Sequence, residues 1–169
     1  PHVLNRGNCF YASQTYNDLP RKDGRRVLVP WGQVAMPGMP FNQMMGLPVE
    51  LSLQETDEGL RLFAYPVREL AKLRSGYLRV PAQELRVGAN PLSEAKGELL
   101  DILAEFDLGR ATQVTFLLRG IPVVYDCAKQ EVVCKDSRAS LKPAGGVVKL
   151  RMLVDRMSID IFGNEGRVY

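Results

Sequence analysis

Histidine is almost absent from this 169-residue chain, which has only His2. That excludes any site needing two histidines and argues against a histidine-based nucleophilic triad. Cysteine is scarce and odd in number, with Cys9, Cys127 and Cys134 at no metal-ligand spacing. A tight turn around Ala128-Lys129-Gln130 sets Asp126 opposite Glu131 and Cys134 opposite Val123. The sulfurs of Cys127 and Cys134 then do not face one another, whereas a disulfide needs Cβ atoms ~4 Å apart. Free thiols are expected, and no metal or cofactor is implied. Nothing approaches the ~18 consecutive apolar residues of a membrane span, so no membrane partner is expected. Charge of one sign is also lacking: 22 basic against 19 acidic residues give a net +3. Arg21, Lys22, Arg25 and Arg26 alternate with Asp18 and Asp23 around Asp23-Gly24, which reads as a solvated turn. A nucleic-acid surface needs a continuous basic face, so no nucleic-acid partner is expected. The start, Pro1-His2-Val3-Leu4-Asn5-Arg6, has neither an initiator Met nor a leader pattern. The natural start is expected to lie elsewhere, and no location can be read.

What is present is β-structure. Ser158-Ile159-Asp160-Ile161-Phe162 alternates polar and apolar residues, the period of a half-buried strand. With Leu150–Val154 before it and the turn Gly163–Gly166 after it, the tail reads as hairpins that stop at a third strand. Strands are expected over Phe10–Tyr16, Arg26–Trp31, Val49–Leu53, Leu60–Ala64, Thr112–Leu118, Ile121–Tyr125, Glu131–Cys134 and Val147–Val154. Pro30 cannot donate a ladder hydrogen bond, so a strand end or edge is expected there. Glu98–Leu108 fits a helix face through Leu99, Ile102, Leu103 and Phe106. It also fits a strand face through Leu100, Ile102, Ala104, Phe106 and Leu108. The flanking Gly97 and Gly109 favour strand. Pro66–Arg74 reads as a short helical or extended connector, so units are expected over 1–65 and 76–169 with a linker at 66–75. The turn spacing of the second unit suggests a β-sandwich.

Three segments carry a resemblance that spans nearly the whole chain. The first is Gly7-Asn8-Cys9-Phe10-Tyr11-Ala12-Ser13-Gln14-Thr15 with Gly24-Arg25-Arg26-Val27-Leu28-Val29-Pro30-Trp31. The second is Met36–Met45 with Leu47–Leu53. The third is the tail from Leu150 to Tyr169. In order and spacing they resemble family 32 glycoside hydrolases, the invertases, inulinases and levanases. The resemblance implies an all-β chain: part of a five-bladed β-propeller, over about 1–65, followed by a β-sandwich whose final strands are missing. It also implies a parent enzyme that cleaves β-fructosidic bonds of sucrose or fructans with retention. Retention uses a nucleophilic carboxylate and an acid/base carboxylate ~5 Å apart. The family's Asn-Asp-Pro, Arg-Asp-Pro and Glu-Cys motifs do not occur here, so no catalytic residue is assigned.

Two wall residues do carry over from the resemblance. Trp31 matches a tryptophan that ends a blade strand and lines the fructosyl site, where an indole packs on the C–H face of a sugar. Cys9 stands where the family usually has Asp near the sugar, and a thiol accepts hydrogen bonds poorly. The implied ligand is a fructose-containing oligo- or polysaccharide, and the implied partner is the missing propeller blades. The alternative is a non-catalytic β-sandwich module that binds carbohydrate or steadies a neighbouring domain. Asp155 and Asp160 are read as lying on different faces, with Asp155 serving the turn and bridged to Arg156 or Arg151. Met36, Met39, Met44 and Met45 crowd one loop and are read as packing. A partial propeller leaves strand edges unpaired, so the isolated chain is expected to aggregate, dimerise or pair with a partner chain. Light scattering checks this, and a monodisperse monomer contradicts it.

Overall fold

The structure, a computed structural model, describes residues 2–169; Pro1, the first residue of the unit expected over 1–65, lies outside the described residues. The first sheet contains β1 (Phe10–Thr15), β2 (Arg26–Gly32), β3 (Met44–Met45), β4 (Val49–Thr56) and β5 (Gly59–Pro66). Its order is β1-β2-β4-β5, with β3 beside the end of β2. A 3-10 turn, Arg68–Leu73, and an irregular, largely exposed stretch over 74–99 lead to the other strands. These are β6 (Leu100–Asp107), β7 (Gln113–Leu118), β8 (Ile121–Asp126), β9 (Glu131–Cys134), β10 (Ser137–Ser140), β11 (Val147–Val154) and β12 (Ile159–Gly163). Strands β7 to β10 form a meander, and β6, β11 and β12 form a three-stranded sheet with β11 central.

The sandwich core lies between these last two sheets. Val148, Leu150, Met152 and Val154 point from β11 towards Leu118, Val123, Tyr125 and Val132 of the meander. The opposite face of the three-stranded sheet is buried in part, at Arg151 and Leu153 of β11 and at Phe162 of β12. Leu153 and Phe162 join Leu28, Val49, Ala64 and Tyr169 in a second core shared with the first sheet. The face of β11 towards the meander is wholly apolar, Val148, Leu150, Met152 and Val154, while its other face mixes exposed Lys149 and buried Arg151 with buried Leu153. Buried Tyr125 keeps its hydroxyl satisfied by donating to the Leu141 carbonyl at 2.8 Å.

The ambiguous segment is a strand. β11 pairs with β6 along its whole length, from Val147↔Asp107 to Val154↔Leu100. The side chains that reach the core are Leu100, Ile102, Ala104 and Phe106, at strand spacing, whereas Leu103 is exposed. The register Asp126↔Glu131 and Val123↔Cys134 is the expected one, and all three cysteines are free thiols.

Pro30 needs a correction, because β2 neither ends nor forms an edge there. β1 pairs on one side, with a register shift between Tyr11 and Gln14 opposite Pro30 and Ala12 at φ 37°. On the other side β4 pairs as far as Leu28 and β3 begins at Trp31. The bulge and the gap between β4 and β3 absorb the missing N–H. Two short strands had no clear sequence signal. β3 lies within the Met-rich loop, and β10 is a polar run in which only Ala139 is buried.

The chain ends on a turn that docks the two cores together. After β12, Asn164–Gly166 form a 3-10 turn and Val168 bridges back to Gly163. All three residues of this turn take positive φ, Asn164 at 44°, Glu165 at 59° and Gly166 at +96°, whereas Gly163 does not. A Cβ at Gly166 would stand 2.4 Å from the Ala64 carbonyl oxygen of β5, so this glycine is required by contact as well as by dihedral. Gly166→Ala is expected to cost at least about 1–3 kcal/mol from backbone strain alone. That reads as a fall of about 2–4 °C in Tm per kcal/mol. Gly145→Ala, with φ +60° and nothing within 4 Å of its Cβ, carries the strain without the clash and should fall less. Equal losses in the two variants would contradict the docking role.

Candidate functional site

A cleft of about 610 Å³ opens where the first sheet meets the sandwich. One wall is the segment leading into β1 together with the end of β2. The other wall comes from turns at one end of the sandwich: 119–121 between β7 and β8, 135–136 between β9 and β10, and 155–158 between β11 and β12.

Both residues assigned to a wall from sequence line this cleft. Trp31 sits on β2 directly across from Tyr11 of β1, with ring centroids 6.0 Å apart and planes tilted by 54°. On its other side it pairs with Met45. Cys9 precedes β1, and its carbonyl accepts the Gln33 N–H at 2.8 Å. Burial, then the nearby Asp160 carboxyl, push the Cys9 thiol above its ordinary pKa, so it is a neutral wall atom and no nucleophile. The structure thus gives the two residues different company: Trp31 stands with an aromatic partner, and Cys9 stands beside a carboxyl.

That carboxyl is the feature the sequence reading missed. Asp160 shares a strand face with Ser158 and Phe162, so it turns towards the first sheet. Its oxygens accept the Ser158 hydroxyl at 2.9 Å and the Tyr169 hydroxyl at 3.4 Å. Burial raises its pKa, and Asp155 adds to the effect. The available signal was parity with Phe162, the most buried aromatic of the tail. Asp155 performs the expected turn chemistry, with its carboxylate accepting the Arg156 N–H at 2.6 Å and its own N–H donating to the Ser158 carbonyl at 2.9 Å. The expected ion pairs are corrected: Arg156 goes to Glu98, and Arg151 goes to Asp101. In the methionine loop, Met44 packs on Gly32 at the cleft, while Met39 and Met45 are exposed.

Charged clamps tie together elements away from the cleft. Arg151 of β11 donates to both Asp101 oxygens at 2.9 and 3.0 Å, and its guanidinium lies 5.2 Å from the ring centre of Tyr65 in β5. Arg74, just past the 3-10 turn, also bonds Asp101. Burial pushes the Asp101 carboxyl up, but the two guanidiniums outweigh it and hold it below its ordinary value. At the other end of the first sheet Arg25 bonds Asp23 at 2.5 and 2.8 Å and Glu69 at 3.0 Å through both nitrogens. The Arg25 guanidinium lowers both carboxylates to about 2. The basic cluster expected to be solvated therefore contains one side chain that ties the Asp23 turn to the 3-10 turn.

An all-β chain in which a sandwich supports a second sheet, with an aromatic-walled cleft at their junction, is the class that fold and site define. Residues 69–169 match the profile of "Glycosyl hydrolases family 32 C terminal". The chain belongs to glycoside hydrolase family 32. It is 33% identical to a levanase of Bacillus sp. (strain L7) over 96% of its length, and 30% identical to a levanase of Bacillus subtilis (strain 168) over 95%. It spans only 20% and 28% of the length of those relatives. The crystal structure of exo-inulinase from Aspergillus awamori shares the fold, with a TM-score of 0.70 at 21% identity over 98% of this chain and 37% of that one.

Acid stability follows from the clamps. Carboxyls lowered in the folded state contribute stability above their unfolded pKa of about 4, and that stability is lost as pH falls through the folded values. Denaturant midpoints should therefore drop between about pH 4 and pH 2, where Asp23 and Glu69 titrate at about 2. Arg25→Ala should flatten that slope, and an unchanged slope would contradict the clamp.

Proposed function

We propose that this chain is the C-terminal portion of a retaining β-fructosidase that acts on sucrose or fructans. The first sheet is the end of its five-bladed propeller, over about residues 1–65. Residues 66–75 link it to the sandwich region over 76–169. The nucleophile and the acid/base carboxylate belong to preceding blades, which are this chain's natural partner. The observation that carries the reading is the family match over residues 69–169, continued by levanase likeness across almost the whole chain.

The contribution of these residues is wall and support. Trp31, braced by Tyr11, offers an aromatic surface to the apolar face of a fructosyl unit, and its ring N–H can serve a hydroxyl. Cys9 offers no charged acceptor at the neighbouring position, so orientation of the sugar depends more on the indole. The sandwich supports the first sheet through the shared core and through the Arg151 guanidinium over the Tyr65 ring of β5. Retention requires two carboxyls ~5 Å apart across the bond that is cut, and this chain supplies neither.

The isolated chain should therefore show no hydrolysis of sucrose, inulin or levan, and measurable turnover would overturn the reading. Titration with fructo-oligosaccharides tests the wall. Trp31→Ala should weaken binding by roughly tenfold, about 1.4 kcal/mol of lost stacking, whereas equal affinity would reject the role of Trp31.

A further inference from the structure

The cleft at the junction is larger than the part of it that Trp31 can serve. Its volume is about 610 Å³, within the range of about 300–1,000 Å³ that takes a whole small-molecule ligand. A single fructosyl unit against the indole leaves the sandwich side of that space unfilled. Three turns wall that side: Arg119 at the β7–β8 turn, Lys135 and Asp136 at the β9–β10 turn, and Asp155, Arg156 and Met157 at the β11–β12 turn.

These turns are set before any ligand arrives. The Arg119 guanidinium donates to the Asp155 carbonyl at 2.7 Å, which ties the β7–β8 turn to the β11–β12 turn. Arg156 is paired with Glu98, and its N–H donates to the Asp155 carboxylate. On the facing wall the Gln33 N–H donates to the Cys9 carbonyl at 2.8 Å, and the Arg6 N–H donates to the Tyr169 carbonyl at 2.9 Å. Lys135 and Asp136 have no such internal use. Both are exposed, and neither forms an ion pair among the described residues. Met157, 43% exposed, adds an apolar surface to the same wall.

A carboxylate that accepts hydroxyls, an ammonium that donates to them and an apolar side chain for C–H faces are what a neutral polyol needs. Arg119 and Lys135 share their wall with Asp136, Asp155 and Asp160, so the two signs offset one another and a polyanion finds no continuous basic surface. We propose that these three turns form a distal subsite, which receives the fructosyl units of a fructan beyond the one on Trp31, with Lys135 and Asp136 as its hydroxyl-binding residues. The subsite depends on the reading of Trp31 as the wall of the fructosyl site. It makes the sandwich a part that touches substrate as well as a support, and it gives a fructan more contacts than sucrose can make.

Calorimetric titration of the 169-residue chain with sucrose and with nystose, a short inulin-type fructan, reads the subsite. The wild type should bind nystose at least about fivefold more tightly than sucrose. Lys135 has φ 50°, a conformation that glycine takes freely, so Lys135→Gly removes the ammonium without straining the turn. Lys135→Gly and Asp136→Ala should each weaken nystose binding about five- to tenfold, through loss of a charge-assisted hydrogen bond, and leave sucrose binding unchanged. Trp31→Ala should weaken both ligands. Equal wild-type affinities for sucrose and nystose would overturn the distal subsite and leave the wall role of Trp31 intact. So would nystose affinity that neither turn variant changes, or losses in those variants that sucrose shares equally. Full affinity for both ligands in Trp31→Ala, or no binding of either by the wild type, would instead remove the wall reading and the subsite with it.

Discussion

The three-stranded sheet of β6, β11 and β12 buries one face against the meander and, through Leu153 and Phe162, part of the other against the first sheet, and the rest of the molecule depends on that. Val148 and Met152 have no exposed surface and Leu150 has 2%, all facing the meander, while Leu153 at 7% and Phe162 at 0% face the first sheet. Burying each such side chain is worth about 1.5–3 kcal/mol, so one short sheet supplies the apolar contacts of two cores. A change on either face of β11 is felt on the other through a backbone that cannot move independently.

Charged pairs then brace each part. Guanidinium–carboxylate clamps at Arg151–Asp101 and Arg25–Glu69 join elements distant in sequence and strengthen as carboxyls ionise. Asp160 is held instead by hydroxyls, accepting from Ser158 and Tyr169. Asp160, Trp31 and Cys9 all line the cleft.

Much of this was legible in the chain. Alternation marked β12, and for β6, where helical and strand spacings both fitted, the flanking Gly97 and Gly109 and the strand-rich surroundings pointed to the strand that forms. The turn at Ala128-Lys129-Gln130 fixed the β8–β9 register because hairpin length leaves little choice. Other features were not legible. Pro30 signals a missing donor but not the bulge at Ala12 that accommodates it. β10 has too few apolar residues to mark a strand, and β3 is only Met44–Met45, paired by geometry that a loop sequence does not encode. The partners of Arg151, Arg156 and Arg25 lie 50, 58 and 44 residues away in the chain, beyond any local pattern. Asp160 could be placed on a face by parity, but the surface opposite that face belongs to another sheet.

The claim that one sheet serves two cores is open to a direct measurement. Met152→Ala removes a buried side chain from the sandwich side, a loss of about 2–5 kcal/mol. Thermal unfolding of this variant can be followed by emission of Trp31, the single tryptophan, which lies in the first sheet. The Trp31 transition should move to lower temperature together with the far-ultraviolet transition of the whole chain. A Trp31 transition that stays at its wild-type temperature while the sandwich melts early would show that the first sheet does not depend on β11, and would contradict this account.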